Sequence, residues 1–232
     1  MIPLADDVPT RRFPWVNLGL ILANFAVFLF FELPDPNDVT NWSFYPCAAE
    51  NACHTAEPWG ITWLTAMFLH AGWDHILGNM VFLAVFGRNV EDAYGHLGYL
   101  LLYLAGGFVA TATQTAATLL AGSAADARVP NLGASGAIAA VLGAYIVLYP
   151  RSHVRGLFGI FPAQITAWVF LGVWFIYQLI EANYGLLSPG SGGGVAFFAH
   201  VGGFIFGVLV TLFMIHRSAP AREPISPGDA TA

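Results

Sequence analysis

The chain has 232 residues, of which 57% are hydrophobic and 9% charged, with a mean hydropathy of +0.65 and a formal net charge of −6. Soluble domains carry about 25% charged residues, so this chain has too little charge to cover a water-facing surface and reads as one compact integral membrane unit, with the lipid bilayer as its first partner. A negative balance with no basic stripe argues against nucleic acid as a partner.

A helix needs about 20 apolar residues to cross the hydrocarbon core. Six segments approach that, at about 15–33, 63–86, 97–120, 133–148, 165–180 and 195–215. The expected fold is therefore all-α, a polytopic bundle of six transmembrane helices. The opening "MIPLADD" is acidic and no small-residue cleavage site follows, so the first segment reads as a retained span rather than a signal peptide. Residues 1–12 form a short leading segment, 13–216 the six-helix domain, and 217–232 a tail with three prolines and no apolar run, expected to be disordered.

Arginine supplies all the basic charge, since the sequence has no lysine. Arg11, Arg12, Arg88, Arg151, Arg155, Arg217 and Arg222 fall on one side of a six-span topology, and Arg128 alone on the other. The positive-inside bias places both termini in the cytoplasm, with a bacterial plasma membrane as the expected location. The outer side then holds residues 34–62, 121–132 and the Gly-rich loop 181–194, "EANYGLLSPGSGGG". That last loop is expected to act as a lid, and the fifth span, aromatic and without a small-residue face, as the loosest helix and a gate against span two. Trp174 and Phe175 are the expected gate side chains. Cys47 and Cys53 lie in the first outer loop, outside any CxxC motif and too few for a zinc site. They are expected to pair where the compartment is oxidising.

Strongly polar groups within spans are costly and mark functional candidates. They are His70, His75 and Asn79 in "FLHAGWDHILGNM", Ser135 in "NLGASGAIAA" and His200 in "FFAHVGGFIFG". The topology puts all five between the outer surface and the bilayer middle. His75 and Asn79 are i and i+4 and share a helix face. His70 and His75, read on one helix, point about 140° apart and make a poor pair for a metal. No HExxH motif is present and no carboxylate lies deep in spans three to six, so neither a metal nor another cofactor is implied. A hydroxyl, a neutral imidazole and two hydrogen-bond donors are the parts of acyl transfer. Ser135 opens a helix, where free N–H groups favour an oxyanion, and Gly133 and Gly136 leave room for a substrate backbone. The small residues around Ser135 also make a packing face, matched by Gly203-x-x-x-Gly207 on span six. A packing role and a reacting role for Ser135 both stand at this point.

"GASGA" at 133–137, "AHVGGFIFG" at 199–207, "HAGWDHILGN" at 70–79 and "FGRNVEDAYGH" at 86–96 together resemble the motifs of the rhomboid family of intramembrane serine proteases. The resemblance covers about residues 60–215. It implies Ser135 as nucleophile and His200 as general base and acid. It also implies an oxyanion hole from the Ser135 N–H, His75 and Asn79, with His70, Gly133, Gly136 and Gly203 in support. The implied partners are transmembrane protein substrates, cut near their outer ends, while the oligomeric state stays open. Three positions depart from the family pattern. Ile61-Thr62 stand where many members carry Trp-Arg, Ala139 where some stack an aromatic ring on the histidine, and Ala66 where some have another histidine. An inactive relative that binds membrane proteins is the alternative reading. A small-solute transporter is disfavoured by the lack of internal repeats.

Overall fold

The computed structural model describes residues 2–159, 161–187 and 196–218. Its helices are α1 (Trp15–Val27), α2 (Pro36–Trp42), α3 (Pro46–Ala49), α4 (Trp59–Thr65), α5 (Trp73–Phe82), α6 (Arg88–Ala121), α7 (Ser135–Leu148), α8 (Ala167–Leu187) and α9 (Phe197–Ser218). A π-helical turn, Phe28–Glu32, extends α1, and another, Leu83–Gly87, joins α5 to α6 without a loop. The chain is a membrane helical bundle. The helical stretches Trp15–Glu32, Trp73–Ala121 and Phe197–His216 are long and apolar enough to cross a bilayer. Trp73–Ala121 breaks at Gly95, whose φ of 70° and ψ of 165° end one limb and start the next. Each limb is long enough to cross about 30 Å of hydrocarbon at 1.5 Å per residue.

Three boundaries differ from the expectation. The second crossing starts at Trp73, not near residue 63, because α4, a 3-10 turn at Ala66–Phe68 and a non-helical link precede it. The fifth helix starts at Ala167, because Phe161–Thr166 is a strand. The expected leading segment also contains a strand. Strands β1 (Ile2–Asp6), β2 (His153–Phe158) and β3 (Phe161–Thr166) form an antiparallel sheet in the order β1-β2-β3, with Val154 opposite both Asp6 and Ile165. Of the expected lid loop at 181–194, residues 181–187 instead continue α8 as helix, while 188–194, like most of the expected tail at 219–232, lie outside the described residues.

The "FGRNVEDAYGH" segment ties the first helix to the bundle. The Glu91 carboxylate accepts the Val16 and Asn17 N–H groups at 2.9 and 2.7 Å, satisfying orphan donors at the start of α1. Asp92 accepts the Arg11 and Arg12 N–H groups. Buried Asp6 accepts from Arg88, Asn89 and, at 2.6 Å, the Tyr145 hydroxyl, so β1 is fastened to α6 and α7 together. The loop after the first crossing is likewise tied down. Phe44 and Asn131 exchange backbone hydrogen bonds, Phe44 packs on Trp63, and Cys47 is disulfide-bonded to Cys53.

α7 is the centre of the bundle. With 14 residues it is about 21 Å long, shorter than the hydrocarbon core, and Gly136 through Tyr145 are all buried in protein. α9 lies against it without side chains between the backbones. A Cβ at Gly207 would strike the Ala140 carbonyl, one at Gly143 the Phe204 carbonyl, and one at Gly203 the Gly136 carbonyl. On α6, a Cβ at Gly106 would strike the Ala140 methyl group and one at Gly107 the end of the Met67 side chain. Such small-residue seams drive helix association where lipid removes the hydrophobic contribution.

Gly207→Val should lower the thermal unfolding temperature in detergent, since overpacking costs about 1–3 kcal/mol. Gly172→Ala on α8, where an added Cβ meets nothing within 4 Å, should leave it unchanged. Equal melting of the two variants would show that the α7–α9 seam has slack. For the loop after the first crossing, alkylation of unreduced protein followed by mass spectrometry should leave Cys47 and Cys53 unmodified, and two added alkyl groups would contradict the bond.

Candidate active site

Ser135 is the first residue of α7, and no side chain caps that helix. Its leading N–H groups, that of Ser135 included, therefore have no acceptor within the helix. Gly133 sets the approach, with a φ of +117° that a residue with a Cβ adopts only under strain. A Cβ there would also lie 2.8 Å from Cε1 and Nε2 of His75 and 3.6 Å from Ser135 Oγ. The bare glycine is thus the gap between imidazole and hydroxyl. The Gly133 N–H donates to the Ala66 carbonyl at 2.8 Å, fixing the loop to the start of the 3-10 turn.

On the other side of Ser135, His200 projects from the first turn of α9. Its Nε2 lies 2.7 Å from Ser135 Oγ. Its Nδ1 lies 2.7 Å from Oε1 of Gln178 on α8, and both side chains are buried. The Trp174 ring lies 5.9 Å from the imidazole at 39°, and the Phe197 ring lies 6.3 Å away, edge-on. Ala139 is fully buried against Gly203, and the aromatic neighbours of His200 come from α8 and from α9 itself. The sequence reading found no carboxylate to orient His200 and overlooked Gln178. The rule that picked the other five residues, a strongly polar group inside an apolar span, applies equally to an amide between Tyr177 and Leu179.

His70 does not sit on the second crossing. It lies in the link before α5, so the helical angle between His70 and His75 does not apply, and their rings meet edge to face with centroids 5.1 Å apart. The His70 N–H donates at 2.8 Å to the buried carboxylate of Glu32 at the end of the first crossing. His75 Nδ1 accepts the Ala71 N–H at 3.3 Å. That bond assigns the proton to Nε2, the edge facing Gly133 and Ser135. Asn79 lies one turn along α5, buried, and its Nδ2 has no hydrogen-bond partner among the described residues.

A hydroxyl held against an imidazole, beside a helix N-terminus and two side-chain donors, can perform nucleophilic acyl transfer. A cavity of about 30 Å³ opens beside Ser135, lined by Ala66, Met67, Gly107, Thr111 and Asn131 among others. That is room for about two waters. At the remaining departure from the family pattern, Thr62 is buried on α4 with its hydroxyl on the Trp59 carbonyl, while Ile61 faces outward.

The Rhomboid domain family model matches residues 56–217, well over half of the chain. RHOMBOID-like protein 12, mitochondrial, of Arabidopsis thaliana is 29% identical over 78% of this chain and 55% of its own length. RHOMBOID-like protein 1 of the same plant is 31% identical over 71% of this chain and 36% of its own length. Rhomboid-related protein 2 of Mus musculus is 27% identical over 72% and 52%. The chain thus spans about a third to a half of the length of these curated relatives. The matched region holds Ser135, His200, His75 and Asn79 together with the bundle that presents them, and the chain belongs to the rhomboid family.

Proposed function

We propose that the protein is an intramembrane serine endopeptidase that cleaves transmembrane segments of membrane-protein substrates through a Ser135–His200 dyad. The observation that carries this reading is the 2.7 Å approach of His200 Nε2 to Ser135 Oγ on two helices that meet backbone to backbone. His200 takes the Ser135 proton as Oγ attacks the peptide carbonyl. The oxyanion is held by the Ser135 N–H, His75 Nε2–H and Asn79 Nδ2. His200 then protonates the leaving amine, and a water activated by the same imidazole hydrolyses the acyl-enzyme. His70, Gly133, Gly136 and Gly203 act as supports for this geometry.

The arginine asymmetry supports termini in the cytoplasm and a site opening to the opposite face, as in a bacterial plasma membrane. The relative named mitochondrial lends that placement no support, and the placement rests on the arginines alone. The competing reading is an inactive family member that binds membrane proteins without cutting them.

Ser135→Ala and His200→Ala should each abolish cleavage of a model transmembrane substrate and labelling by a fluorophosphonate, with the fold retained. Wild-type protein that neither labels nor cleaves would favour the inactive reading. Asn79→Ala should reduce the rate about 10²–10³-fold, the usual cost of one oxyanion donor. Unchanged activity would reduce Asn79 to a packing residue.

The gate needs revision on geometry. Phe175 stacks on Phe204 of α9 at 4.6 Å, and Trp174 lies against both His200 and Phe204. The α8 ring that meets Phe82 and Phe86, along the second crossing, is Phe170. Trp174→Ala should therefore slow cleavage by loosening His200, rather than accelerate it by opening a gate. A faster variant in a steady-state peptidase assay would restore the gate role.

A further inference from the structure

α8 turns a long apolar surface outward. Trp168, Val173, Ile176, Tyr177 and Ile180 are each at least half exposed in the bundle, as lipid-facing residues are. Gln178 is instead buried, as Phe170 and Leu171 are, at 4% exposed, and it is directed at His200. A buried amide without a partner is costly, and the partner found here is His200 Nδ1.

The chemistry of the contact is selective. A neutral imidazole carries one N–H and one lone pair. With the proton on Nε2, His200 would donate to Ser135 Oγ and could not accept its proton. With the proton on Nδ1, the Nε2 lone pair faces the hydroxyl. The Gln178 Oε1 is an acceptor only, so it favours the second form. It does so without bringing a second charge into apolar surroundings, where a carboxylate would have to be desolvated. Trp174 and Gln178 are i and i+4, so one face of α8 both packs on the imidazole and holds its proton. A shift of α8 by about 1 Å takes a 2.7 Å bond out of hydrogen-bonding range.

We propose that Gln178 is a positioning residue for His200: its Oε1 accepts the Nδ1 proton, holds the imidazole in the one tautomer that can take the Ser135 proton, and makes that alignment depend on how α8 is seated. The proposal rests on the protease reading.

The test compares full-length wild type, Gln178→Met and Gln178→Glu in detergent micelles. It measures the rate of fluorophosphonate labelling of Ser135 and the pH profile of kcat/KM for a transmembrane substrate. The probe is small, so its rate reports Ser135 activation apart from admission of a helix. Gln178→Met should slow labelling and lower kcat about 10–100-fold with little change in KM, the scale of leaving a buried donor unpaired. Gln178→Glu should retain measurable labelling and move the acidic limb of the profile up by about one pH unit or more, because a carboxylate opposite the ring favours the imidazolium. If Gln178→Met does not fold, the profile of Gln178→Glu decides. Wild-type labelling rates in Gln178→Met, or an unmoved limb in Gln178→Glu, would overturn the positioning role while leaving the protease reading intact. If wild type itself neither labels nor cleaves, the protease reading fails and the positioning role falls with it.

Discussion

The contact between α7 and α9 is the constraint on which the site depends. Lipid supplies no hydrophobic force between two crossing helices, so they adhere only where their surfaces fit closely. Here the fit is backbone on backbone, at Gly143, Gly203 and Gly207. That distance is what lets a short serine side chain on one helix reach an imidazole on the other. Any side chain at these positions would part the axes, and a 2.7 Å hydrogen bond has little tolerance for that. Packing and reactivity, alternatives when Ser135 is read in isolation, are two consequences of one seam.

The same economy governs polar groups elsewhere in the bundle. Inside a membrane each buried donor or acceptor must find a protein partner, and the partners here cross between elements distant in sequence. Glu91 caps α1, Glu32 holds the His70 backbone, and Asp6 gathers Arg88, Asn89 and Tyr145. These bonds fix where the links between helices lie, and the links carry the site. The turn from Ala66 to His75 is fastened at both ends, by the Gly133 N–H on Ala66 and by Glu32 on His70, so His75 enters α5 already oriented. Asn79 Nδ2 is one of several buried side-chain atoms, His70 Nε2 and Glu32 Oε1 among them, that have no such partner among the described residues.

Much of this could be read from residues alone because membrane insertion makes the rules strict. Apolar runs located the helices, and rare polar groups inside them pointed to Ser135, His200, His75 and Asn79. Errors arose where hydropathy is blind to backbone geometry. Residues 63–72 are apolar enough to extend a span, yet the chain there makes a 3-10 turn and a non-helical link. The hairpin of β2 and β3 is hidden for a related reason, since "FPAQIT" continues into an apolar helix and the other ladder partner of β2, strand β1, lies far off in sequence at Ile2–Asp6. Gln178 meets the same rule that picked Asn79, an amide within an apolar span, but lies in no motif beside another polar residue and was missed. The aromatic face of α8 was assigned to span two, whereas Trp174 and Phe175 point at α9, because composition does not state which way a helix is turned.

The pairing of β1 with β2 has a consequence for biogenesis. Residues 2–6 are synthesised well before the elements they join, for their ladder partners lie at 154–157, and Asp6 also needs Tyr145. The strand must therefore wait, unpaired, while four helical limbs are synthesised and inserted, and it docks only when the hairpin follows them. Contacts of such long sequence separation form late and slowly. Strand β1, made before the helices, is thus placed after them, and its docking marks the point at which α6, α7 and the hairpin have all reached their positions.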